Sequence, residues 1–68
     1  MNEEALNMSI RKFLKEVGVS SQREIEKSVR EALARGDLAD AASLEVQMTL
    51  TADGVDLSHA VNGRIQLA

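Results

Sequence analysis

Two periodicities divide the chain. Up to Leu33 the apolar residues recur at spacings of three and four, and from Leu44 onward they alternate with polar ones. The first spacing places side chains on one stripe of a helix, and alternation places them on one face of a strand. Leu6, Ile10, Phe13, Leu14 and Val17 form the first stripe. Asn2 is suited to cap its start, and Glu3 and Glu4 fall in the first turn, where the helix dipole favours acids. Gly18 follows the stripe, where a left-handed C-terminal cap favours a residue without Cβ. Ser21-Gln22-Arg23-Glu24 then reads as a capping box. Ile25, Val29, Ala32 and Leu33 make a second stripe, with Gly36 at its end. The pattern predicts two helices, at about 2–17 and about 21–35, joined at a tight corner.

Asp37 to Ala42 is a small, Ala-rich connector. Beyond it, Leu44, Val46, Met48 and Leu50 alternate with Glu45, Gln47 and Thr49, as in a half-buried strand. Asp53-Gly54 is a hairpin signal. Val55, Leu57, His59, Val61, Ile65 and Leu67 share the parity of the following strand. A two-residue type I′ turn at Asp53-Gly54 opposes Ala52 to Val55, Leu50 to Leu57, Met48 to His59 and Val46 to Val61. All the apolar residues then share one face. A three-residue turn would oppose Leu50 to Asp56 and spoil the match. A second turn at Asn62-Gly63 would put Arg64 on the face of Val61, so parity predicts one long strand with a bulge or kink near Gly63.

The expected fold class is α+β: two N-terminal helices packed on one face of a C-terminal antiparallel hairpin with strands at about 43–52 and about 55–67. The second strand outruns the first. Residues Arg64 to Ala68 are left to pair with the connector or with another chain. Arg64, Ile65 and Leu67 are therefore a candidate interaction edge, the alternative being a frayed or helix-covered C-terminus.

Composition sharpens this picture. With 68 residues there is room for one domain, spanning 1–68. There is no cysteine, so disulfides, thiolate metal sites and cysteine nucleophiles are excluded, and Phe13 is the lone aromatic. A domain this small buries only about 60% of the surface its unfolded chain exposes. A meagre core without disulfide or metal makes a partner chain an expectation, either another protein or a second copy. No apolar run reaches the roughly 20 residues that span a bilayer. The acidic Met1-Asn2-Glu3-Glu4 opening does not read as a secretory signal, and a cytoplasmic location is expected. Through Arg35 the chain has seven bases and six acids, net +1; from Gly36 onward it has one base and five acids, net −4.

Candidate chemistry is sparse. His59 is the lone histidine, on the apolar side of its strand. It has no second histidine or cysteine to share a metal, and Asp56 falls on the other face of the strand. Glu24 is accounted for as a cap, and Glu26–Arg30 and Lys27–Glu31 as i, i+4 pairs of a solvated helix face. No serine sits in a nucleophile elbow, and the four glycines make no phosphate-cradling loop. The expectation is a protein without enzymatic activity, cofactor or metal.

Nucleic-acid binding is the alternative. Phe13-Leu14-Lys15-Glu16-Val17-Gly18-Val19-Ser20 resembles the corner of a helix-turn-helix, and Arg23, Lys27 and Arg30 on the next helix are candidate phosphate contacts. Leu14 is large where that motif has a small residue, and Glu24, Glu26 and Glu31 dilute the basic charge. Membrane-surface binding by the first helix has less support, with a basic flank of Arg11, Lys12 and Lys15 but no Trp anchor.

The segments Met1 to Val19, Ser21-Gln22-Arg23-Glu24-Ile25-Glu26-Lys27 and Leu57-Ser58-His59 together resemble a family of very short bacterial proteins, domain of unknown function 6494. The resemblance runs nearly the whole length and is most specific over the first 27 residues. It implies a cytoplasmic stand-alone domain and carries over no catalytic or binding residue. The expected function is protein–protein contact, self-association included.

Overall fold

A computed structural model describes every residue, Met1–Ala68. The chain is α+β: one long helix, α1 (Glu3–Ala34), then two antiparallel strands, β1 (Ser43–Ala52) and β2 (Leu57–Gln66). It divides into two compact units, Met1–Leu38 and Ala39–Ala68.

The first unit corrects the expectation of two helices. The ends of α1 fall where the sequence signals them. Asn2 has extended backbone, and its side-chain oxygen accepts a hydrogen bond from the Ala5 amide at 3.1 Å. At the other end Gly36 takes a φ of +82°, the Gly36 amide donates to the Leu33 carbonyl and the Asp37 amide to the Ala32 carbonyl. This is a Schellman cap, which needs a left-handed residue at that position. Between these ends the helix runs unbroken for 32 residues. Gly18 lies inside it with no left-handed backbone, and Ser21 and Glu24 form no capping box. The Ser20 hydroxyl instead donates back to the Val17 carbonyl at 3.4 Å.

The physical reason is a balance of small costs against large ones. A glycine inside a helix costs about 1 kcal/mol, and Val19, Ser20 and Ser21 each cost a few tenths. Breaking the helix would strip up to four amides and four carbonyls of their partners at the new ends. No proline follows Gly18 to force a stop. Continuity also merges the two stripes, because Val17, Ser21, Ile25, Val29 and Ala32 follow one another at spacings of four, four, four and three.

The second unit is the hairpin, and β1 has the span expected of it. Its register runs Leu44↔Ile65, Glu45↔Arg64, Val46↔Gly63, Gln47↔Asn62, Met48↔Val61, Thr49↔Ala60, Leu50↔His59, Thr51↔Ser58 and Ala52↔Leu57. This is two residues away from the expected register. The loop is Asp53 to Asp56, four residues rather than two. A type I′ turn needs positive φ at both central residues, whereas only Gly54 has it, at +83°. Because the slip is even, every side chain keeps its face.

The longer loop brings Arg64 opposite Glu45, with its Nε donating to the Glu45 carboxylate at 2.7 Å. Gln47 likewise donates to Asn62 across the strands at 2.9 Å. Two further expectations fall with the register. Gly63 sits in a regular ladder with no bulge or turn. Arg64, Ile65 and Gln66 are paired with Glu45, Leu44 and Ser43, so the second strand does not overhang. The Leu67 and Ala68 amides donate to the connector carbonyl of Ala42.

Candidate interaction surfaces

The surface of α1 is sorted by its periodicity. Leu6, Ile10, Leu14, Val17, Ser21, Ile25, Ser28 and Ala32 recur in a four-four-three rhythm, an 11-residue repeat that holds a seam nearly parallel to the axis of a straight helix. At a rise of 1.5 Å per residue α1 is about 48 Å long. No residue of the helix is buried. Val17, Ser21, Ile25, Val29 and Ala32 are half-buried, while Leu6, Ile10, Phe13 and Leu14 are exposed.

Arg23, Lys27 and Arg30 are exposed at spacings of four and three, on the side of α1 away from the seam. They lie along one helix, with no helix-turn-helix corner before them. Arg30 stands 3.9 Å from the Glu26 carboxylate, which also accepts a hydrogen bond from Gln22 at 3.1 Å. Lys27 and Glu31 do not form the expected ion pair.

On the hairpin, one face carries Leu44, Val46, Met48, Leu50, Ala52, Leu57, His59, Val61, Gly63 and Ile65; the other carries the polar pairs. A two-stranded sheet cannot enclose an interior by itself, and no residue of either strand is buried. Met48, Leu57 and Val61 are exposed large apolar residues. Each strand also has one outer edge without a partner strand. Neither edge carries a lysine, a proline or a bulge, three devices by which proteins keep edges from pairing. The candidate edge residues Arg64, Ile65 and Leu67 lie at the end of β2 and just beyond it. Arg64 points to the polar face, and Ile65 and Leu67 are half-buried.

His59 stands opposite Leu50 rather than Met48, and it is exposed. No group of three or more His, Cys, Asp or Glu side chains comes together to hold a metal ion. No helix is long and apolar enough to cross a membrane.

A long capped helix followed by a short amphipathic hairpin defines a small α+β protein with exposed large apolar residues on both elements. The chain matches, over residues 1–68, the model of the family described as Family of unknown function (DUF6494), and it belongs to that family. No curated protein and no solved structure matches it.

Proposed function

We propose that the chain is a non-enzymatic protein–protein interaction module, and that a second copy of itself is the first partner to consider. One observation carries the reading: both units are strongly amphipathic, yet neither contains a buried residue. An isolated two-stranded hairpin is marginally stable at best, and an isolated helix draws most of its stability from covering its apolar face. Each unit is therefore stabilised by a partner that takes up its apolar side, and small domains without a disulfide or metal often gain that partner by association. Sedimentation equilibrium across a wide concentration range tests the self-association half. A mass near twice the 7.4 kDa of one chain is expected at high concentration, and a strict monomer throughout would refute it.

A second reading, contact with nucleic-acid phosphates, is favoured by the alignment of Arg23, Lys27 and Arg30 on one exposed helix face. It requires an affinity for duplex DNA whose logarithm falls linearly with the logarithm of salt concentration. Filter binding at low salt decides it, and no retention there would end the reading.

A further inference from the structure

We propose that α1 pairs antiparallel with α1 of a second copy, seam against seam, with the two-fold axis passing at the level of Val19. The proposal rests on the self-association reading and specifies its geometry. Two independent features of the seam favour that orientation. The first is a gradient of size. The N-terminal half of the seam carries Leu6, Ile10 and Leu14, and the C-terminal half carries Ser21, Ser28 and Ala32 around Ile25, with the half-buried Val29 beside Ser28 at its margin. In a parallel pair the bulky halves would meet each other and splay, while the small halves would leave a gap. In an antiparallel pair Leu6 meets Ala32 of the other copy, Ile10 meets Ser28, Leu14 meets Ile25, and Val17 meets Ser21. Large against small at facing positions is how helices keep an even separation.

The second feature is charge. Glu3 stands one step before Leu6, and Arg35 stands three residues after Ala32, flanking the place where the rhythm reaches Gly36. Arg35 keeps near-helical backbone as the C-terminal cap residue, with φ −85° and ψ −7°. A parallel pair would set Glu3 against Glu3 and Arg35 against Arg35. The antiparallel pair sets each Glu3 against the other copy's Arg35, in the same register as the Leu6–Ala32 match and about one turn beyond it. Arg35 already donates through Nε to Asp37 at 2.9 Å, which leaves its terminal nitrogens for a carboxylate from outside.

The absence of cysteine makes the test clean. Chains carrying Leu6→Cys and Ala32→Cys are mixed, oxidised and resolved by mass. The expected product is the mixed disulfide, with little cross-linking of either variant alone. Self-linked Leu6→Cys and Ala32→Cys dimers would establish parallel pairing and overturn the proposal. A dimer in sedimentation that yields no cross-link would put the interface elsewhere and overturn the seam, while leaving self-association standing. A monomer in sedimentation would overturn both.

A second measurement guards against cysteine variants that fold poorly. Glu3→Arg alone should weaken the dimer on the order of tenfold, as two exposed ion pairs per dimer are lost and replaced by repulsion. Adding Arg35→Glu should restore it. Both changes oppose the helix dipole, so effects within one helix work against rescue, and recovery has to come from between the copies. A double variant weaker than either single one would overturn the proposal.

Discussion

Replacing Gly18 with alanine should stabilise the protein, and the sign of the effect is diagnostic. Gly18 lies within α1, its φ is not positive, and a Cβ built on it meets nothing within 4 Å. Alanine is better than glycine in a helix interior by about 1 kcal/mol, because glycine loses more backbone freedom on ordering. At the unfolding midpoint of the parent, the ratio of folded to unfolded chain should therefore rise about fivefold. Had the helix ended at Gly18 with a left-handed cap, alanine there would cost about 1–2 kcal/mol instead. The two architectures differ by some 2–3 kcal/mol at one position, and in opposite directions. Ser21→Ala repeats the contrast more weakly. It removes no cap in the continuous helix, whereas it would cost about 1 kcal/mol if Ser21 were an N-cap. Urea unfolding followed by circular dichroism at 222 nm reads both. A destabilised Gly18→Ala protein would refute the single-helix account.

Three further substitutions test the caps and the hairpin. Asn2→Ala removes the acceptor for the Ala5 amide and should lower helix stability by about 1 kcal/mol, seen in the same urea titration. Gly54→Ala forces a side chain into a φ of +83° and should cost about 1–2 kcal/mol, read as weaker amide-exchange protection in β1 and β2. Gly63→Ala should stabilise the hairpin by about 0.4–1 kcal/mol, because the added Cβ meets Val46 at an ordinary 3.5 Å and the backbone there is regular; increased protection of the same amides checks it.

What could be read from the chain depended on whether a signal had a competitor. Asn2 and Gly36 mark the ends of α1 correctly because nothing nearby offers an alternative cap. Gly18 and Ser21 carry the same kinds of signal and are overridden, since a cap motif inside a long periodic segment competes with the backbone hydrogen bonds it would sacrifice. On the hairpin, parity assigned every side chain to its face, because faces depend only on odd and even positions. Parity is blind to an even slip, however, and cannot separate a two-residue loop from a four-residue one. The cross-strand chemistry decides between them: the observed register places Arg64 on Glu45 and Asn62 on Gln47. Both polar pairs stand in the sequence, and they favour the longer loop over the shorter one. The overhang that singles out Arg64, Ile65 and Leu67 disappears in the observed register, and the seam on α1 is continuous only because Gly18 lies inside the helix.

If a second chain covers the apolar stripe of α1 or the apolar face of the hairpin, order must depend on concentration. The helical signal at 222 nm, followed by dilution from millimolar to submicromolar concentration, tests this most directly, because order that depends on association must fall as the concentration drops below the dissociation constant. The account predicts a cooperative loss of helix on dilution, matched by a melting temperature that rises with concentration. A helix signal and a melting temperature that stay constant over the whole range would contradict it.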